Sequence, residues 1–301
     1  MSIAKVKQIY NFPIEFIENL HVLPSESLLL STIRSVGLLY TLDPTAAKPQ
    51  AEQVATFDTN TTALTGIVPL DGDLYAVSGG LHTSYAFERG NMHLYIASLQ
   101  TGTAVDSIPV PDTATMNGLA ALPHNPYTVL SADSIDGRIF SINTRTRKVS
   151  VVLEDAALGP GNWNSSSGLP PIGINGLRTR GGYLYFTNSS QGTFARIRIN
   201  ESGNGIGDFE ILARSPIANH IYDDFAFDSD GNAYIAVHSS SVVKITPDGV
   251  QTIIAGGQGD TLLKEPTSVA LANDGKSIYV VTGGKFNANP PEGGQVVQIQ
   301  L

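Results

Sequence analysis

The chain has 301 residues, within reach of one large all-β domain, and only 15% of it is charged, against about 25% in an average soluble protein. Its 18 Lys and Arg against 27 Asp and Glu leave a net charge of −9, which excludes the clustered positive surface of a general nucleic-acid binder. Cysteine is absent, which excludes disulfides, thiolate metal sites and cysteine nucleophiles, and no apolar run approaches the roughly 20 residues that span a bilayer.

At the N-terminus, Met1 to Lys7 lacks the apolar core of a secretory signal, so the chain as given is expected in the cytoplasm. The sequons at Asn60, Asn164, Asn188 and Asn200 lean toward a processed, secreted form, although a chain rich in Asn, Ser and Thr also produces such tripeptides by chance. Onward, 30 glycines and 17 prolines punctuate short strands such as Asp73–Val77, Tyr183–Thr187, Asn232–Val237 and Ser277–Val281. Long amphipathic helical patterns are missing, so the fold class is all-β.

One frame recurs in chain order: a small or polar residue opens an apolar strand, a tight turn follows, and a Tyr- or Leu-bearing strand comes next. It begins at Asn19, Thr65, Asn117, Asn175, Asp224 and Ser268, at intervals of 46, 52, 58, 49 and 44 residues. Such a period predicts a six-bladed β-propeller with four-stranded antiparallel blades, occupying residues 1–301 as a single domain. Residues 293–301 supply only a third strand to the last blade, and Lys5–Tyr10 is expected to close it as the fourth.

The turns after the innermost strands are compact, as in Pro24–Ser27, Asp71–Asp73, Arg180–Gly182, Asp228–Gly231 and Asn273–Gly275. Long excursions fall on the opposite face: Gly79–Met92, Ala156–Gly173, Arg214–Tyr222 and Gly283–Gly293. They carry His82, Tyr85, Phe87, Trp163, His220, Tyr222 and Phe286, which predicts a pocket for a small, largely apolar molecule on that face. The competing reading is that these aromatics pack the loops onto the blades.

Nucleophile-elbow, zinc-helix and phosphate-loop motifs are all absent, and the six histidines show no ligand spacing. His82 and His220 are placed to act as acid, base or hydrogen-bond donor. The residues opening the inner strands converge by symmetry at one end of the channel: Glu18, Asn19, Thr65, Asn117, Asn175, Asp223, Asp224, Thr267 and Ser268. This oxygen-rich ring suits Ca²⁺ or another hard divalent ion, contact with a small molecule, or simple capping of strand ends.

Glu18, Asn117-Gly118-Leu119, Asn175-Gly176-Leu177 and Asp223-Asp224-Phe225-Ala226-Phe227-Asp228, at blade spacing, resemble the gluconolactonase and regucalcin (senescence marker protein) propellers over nearly the whole chain. The resemblance implies a divalent cation on Glu18, Asn175 and Asp223, with Asp223 also the base of lactone hydrolysis, although Asp224 fits the spacing equally well. Met116-Asn117 departs from that pattern, supplying no arginine for a sugar-acid lactone.

Ile174–Leu177, Tyr183–Asn188 and Gln191–Phe194 look most like fungal members from natural-product gene clusters, including hetero-Diels-Alderases that join an o-quinone methide to a humulene-derived alkene. This resemblance implies a cofactor-free pericyclase of secondary metabolism. Asn117, Asn175, Asp223, His82 and His220 would be catalytic, and Tyr85, Phe87, Trp163, Tyr222, Asp224, Phe286, Thr65 and Ser268 would bind substrate. A metal-dependent lactonase and a non-enzymatic binding propeller are the alternatives.

Overall fold

The computed structural model describes residues 5–33, 36–58, 60–83, 86–163, 171–216, 221–238, 240–257, 262–285 and 288–301, with the backbone alone at 83, 86 and 87. Among them every regular element is a strand. In chain order these are β1 (Val6–Asn11); β2 to β5 (Phe16–Val22, Leu28–Ile33, Leu38–Leu42, Ala51–Thr56); and β6 to β9 (Ala63–Pro69, Leu74–Thr83, Ala86–Ser98, Thr103–Pro109). Next come β10 to β13 (Met116–Leu122, Asn125–Asp133, Arg138–Asn143, Val149–Glu154) and β14 to β17 (Ile174–Arg180, Tyr183–Asn188, Thr193–Ile199, Gly205–Arg214). The last are β18 to β21 (Ile221–Phe227, Ala233–His238, Ser241–Ile245, Gln251–Gly256) and β22 to β24 (Pro266–Leu271, Ser277–Thr282, Gln295–Gln300). No helix among the described residues is long and apolar enough to cross a membrane.

The arrangement is propeller-like. β10–β13, β14–β17 and β18–β21 each form a four-stranded antiparallel sheet, and β22, β23 and β24 are completed by β1, which pairs antiparallel with β24. β2–β5 and β6–β9 belong to one eight-stranded sheet, joined by the single pairs Thr56↔Thr103 and Ile33↔Ala63. The excursion expected at Gly79–Met92 is mostly strand: β7 and β8 run on as a hairpin in which His82 pairs with Phe87.

Apolar layers between successive strand groups make the core. Leu64, Ile67, Tyr75 and Val77 pack on Leu29 and Leu39; Leu177, Leu184 and Phe186 pack on Leu130 and Ile139. The circle closes where Tyr279, Val281 and Val296 meet Phe12, Ile17, Leu20 and Leu28. The inner strands and their immediate neighbours, such as β2, β3, β10, β19 and β23, bury both faces, which explains their continuous β-branched and Leu-rich runs. The outer strands β1, β5, β13, β17 and β21 keep one side open to solvent.

The innermost strands β2, β6, β10, β14, β18 and β22 each break register with their neighbour at the same level: between Ile17 and Asn19, Leu64 and Ile67, Met116 and Leu119, Ile174 and Leu177, Tyr222 and Phe225, and Pro266 and Ser268. A bulge leaves backbone groups unpaired and re-aims side chains. Hydroxyls of neighbouring strands take up the freed carbonyls: Ser31 donates to Thr65 O (2.7 Å), Ser78 to Asn117 O (2.9 Å), Thr187 to Asp223 O (2.6 Å) and Thr267 to Ile17 O (2.7 Å). Adjacent inner strands then approach so closely that a Cβ on Gly66 would lie 2.5 Å from Asn117 O, and one on Gly118 would lie 2.4 Å from Asn175 O. This explains the glycine that follows the polar residue in three of the six frames, at Gly66, Gly118 and Gly176.

Candidate functional site

The bulges lift Glu18, Asn117, Asn175, Asp223 and Asp224 out of the strand ladders at one level of the channel, and all five are buried. The two aspartates have different surroundings. Asp223 meets His238 at the end of β19, with Nε2 2.8 Å from its Oδ2. Asp224 accepts from Asn19 Nδ2 (2.9 Å), Arg178 Nη2 (2.9 Å) and Ser268 Oγ (3.0 Å), and its other oxygen accepts the Phe225 amide (2.8 Å). Asp224 therefore ties β2, β14 and β22 to β18, and Ser268 belongs to that tie.

Burial pushes the Glu18 carboxyl well above the usual carboxylate range, and the charges of Asp223 and Asp224 add to it. No hydrogen bond to another described residue offsets this, so the neutral, hydrogen-bond-donating form of Glu18 is favoured. Asp223 is also raised by burial, against the opposing pull of His238, with a smaller opposing contribution from Asn175. Burial lowers His238, but its hydrogen bond to Asp223 and the charges of Asp223 and Glu265 outweigh that and leave it raised. Glu18, Asp223 and His238 thus form a proton-holding cluster, and His238 is a member that sequence reasoning missed. Its signal was faint, a histidine just after an apolar strand and 15 residues from its partner.

Asn175 donates to Ser189 Oγ (3.0 Å), while its Oδ1 is buried without a hydrogen-bond partner among the described residues. The indole Nε1 of Trp163 is likewise buried and unpartnered among them. These two atoms are a free acceptor and a free donor at positions expected in the site. His82 reaches Thr115 Oγ1 through Nε2 (2.8 Å), two residues before Asn117, and burial pushes it down to about 4, so it is neutral near pH 7.

Other expected residues stand elsewhere. Tyr222 is 1% exposed, packed with Phe194 and Phe225, and its hydroxyl hydrogen-bonds Gln251 Oε1 (2.5 Å), so it belongs to the apolar layer and not to a pocket wall. Thr65 spends its hydroxyl on Met116 O (2.9 Å) and Ser78 Oγ (2.8 Å), which is a structural tie. Tyr85, His220 and Phe286 entirely, and the side chain of Phe87, lie outside the described residues. An arginine does reach the ring, from the fourth inner strand as Arg178 and not from the third.

In oxygen donors alone, Glu18, Asn175 Oδ1 and Asp223 suit a hard divalent ion. Among the described residues no three His, Asp or Glu side chains gather as a metal cluster, so an ion here would rely on the Asn175 amide oxygen.

The fold is that of the regucalcin and gluconolactonase-like propellers. The chain superposes on the luciferin-regenerating enzyme with a TM-score of 0.70 (14% identity, 99% of this chain and 95% of that one). On the calcium-binding protein regucalcin of Agrobacterium tumefaciens the TM-score is 0.67 (14% identity, 98% and 93%). In sequence the chain is similar to a candidate hetero-Diels-Alderase of Phoma sp, 28% identical over 296 residues spanning 89% of this chain and 83% of the relative. A second candidate hetero-Diels-Alderase, from Sarocladium schorii, is 24% identical over 330 residues, 96% of this chain and 80% of that one. No protein-family model matches the chain.

Proposed function

We propose that this protein is a hetero-Diels-Alderase-type cyclase of fungal secondary metabolism, acting in the cytoplasm on small apolar partners at the loop-side mouth of the channel. The observation that carries the proposal is its similarity to two candidate hetero-Diels-Alderases over 89% and 96% of its length. The fold reading that goes with it is one domain of six blades, the eight-stranded sheet counting as two. Two single-pair junctions in that sheet, and apolar layers that close into a circle, support this count.

In a hetero-Diels-Alder addition an enone-like heterodiene and an alkene form one C–C and one C–O bond, and no proton or electron leaves the pair. A protein accelerates such a step by holding both partners in near-attack geometry and by donating hydrogen bonds to the heterodiene oxygen. Glu18 in its neutral form, the Trp163 indole N–H and the Asp223–His238 pair are suitable donors, and none of them requires a cofactor. A carboxyl kept neutral by burial is a recognised device for this purpose.

The test incubates purified protein with an o-quinone methide precursor and a humulene-type alkene and follows the adduct by chiral chromatography. Accelerated formation of one enantiomer is expected; racemic adduct at the background rate overturns the proposal.

A metal-dependent lactonase is the second reading, favoured by the unpartnered Oδ1 of Asn175, whose side chain neighbours Asp223. There Glu18, Asn175 and Asp223 would hold the ion, which when bound polarises an ester carbonyl. Lactone hydrolysis that is lost on chelation and restored by Ca²⁺, with no cycloaddition, would establish it.

A further inference from the structure

The opposite mouth of the channel, where the inner strands end at the compact turns, holds a cavity of about 460 Å³. That volume is in the range of about 300–1,000 Å³ typical of small-ligand sites. All six inner strands line it; Val22, Ile67, Leu119 and Leu271 are among its apolar contributors, and polar atoms make up about half of its wall. Among the described residues its only ionisable wall side chains are His21, Arg178 and Arg180; no carboxylate faces it.

Arg178 and Arg180 are two apart on β14 and so share a face. Each guanidinium lies over an aromatic ring, Phe225 and Phe227 respectively, at 5.5 Å from the centroid, which fixes its position. Their charges are balanced differently. Arg178 is paired with Asp224, whereas Arg180 donates only to the carbonyls of Asp228 (2.8 Å) and Ser229 (2.7 Å) and has no ion-pair partner among the described residues. His21 is pushed down to about 4, by burial and then by the charge of Arg178, so it is neutral near pH 7 and adds no charge of its own.

We infer that this mouth binds a small amphiphilic anion, with its acidic group on Arg180 and its apolar body along the ends of the inner strands. Asp71, Asp230 and Asp274 in the surrounding turns oppose an approaching anion. Solvent-exposed charges are, however, largely screened beyond about 8 Å at physiological salt, so contact with Arg180 decides selectivity. This site is separate from Glu18 and Asp223 and does not depend on the cyclase reading.

Isothermal titration of the full chain with octanoate, 1-octanol and octylammonium tests it. Octanoate is expected to bind one to one, at least about tenfold tighter than either of the others. Arg180→Gln should weaken octanoate by about tenfold or more while leaving the melting temperature within a few degrees. Ala270→Phe, which fills the cavity from β22, should abolish binding; if it fails to fold, Arg180→Gln alone decides. Octylammonium binding as tightly as octanoate would show that the acidic rim governs and overturn the inference. So would an Arg180→Gln variant of unchanged affinity, or no octanoate binding at millimolar concentration.

Discussion

Buried Glu18 and Asp223 and half-buried His238 all have folded-state pKa values above their ordinary ones. The folded chain therefore holds more protons than the unfolded chain above the ordinary values, which are about 4 for the acids and about 6.5 for His. Stability from this cluster is fully present below those values and falls as pH rises through the folded ones. Between about 4 and about 6.5 the lowered His21 and His82 act in the opposite sense, so the melting temperature should decline with pH only above about pH 7, and Glu18→Gln should flatten that decline. An unchanged slope in the variant would remove Glu18 from the cluster. Trp163→Ala tests the proposed pocket: loss of the half-buried ring and its unpartnered N–H should reduce cycloadduct formation by about tenfold or more. Equal losses of activity and folding would instead assign the ring to packing. Sequence showed that Asp223 and Asp224 were both plausible in the channel. It did not show that they divide the work, because Asn19 and Asp224 are 205 residues apart.

Among the elements, the bulged inner strand is the unit that makes the site. A polar residue in an otherwise apolar strand was visible in the sequence, and so was the glycine beside it. The misplacement of Tyr222 has the same origin. Side chains alternate along a regular strand, but the bulge between Tyr222 and Phe225 resets the alternation and sends both rings into one apolar layer. Close approach at the bulges makes a sharp prediction. On Gly118 a Cβ would sit 2.4 Å from Asn175 O and 2.8 Å from the Gly176 Cα, so Gly118→Ala should cost about 1–3 kcal/mol. Gly159→Ala, whose Cβ would meet only Ala156 O at 3.7 Å, serves as the control and should leave denaturant stability almost unchanged. Asn188 carries a related lesson. As a sequon it suggests a glycan, yet its side chain is fully buried and donates to the Ala157 and Gly159 carbonyls (3.0 and 2.8 Å), holding the loop that leads to Trp163.

Across the whole molecule, closure is made by β1, whose pairing with β24 joins the two ends of the chain in one sheet. Deleting residues 1–11 should expose β24 as an open edge, lower the melting temperature and promote association visible by size-exclusion chromatography. An unchanged monomer would show that closure is dispensable. The sequence by itself determined the all-β class, the strand period, the joining of the termini and the polar ring, because each is written in local alternation, turn residues or regular spacing. Only the tertiary structure decided that His238 pairs with Asp223, that Arg178 reaches Asp224, that Tyr222 is core, and that a cavity with Arg178 and Arg180 in its wall opens among the ends of all six inner strands. Those features arise where strands distant in sequence converge at a bulge or around the channel, and no local pattern encodes which side chains meet there.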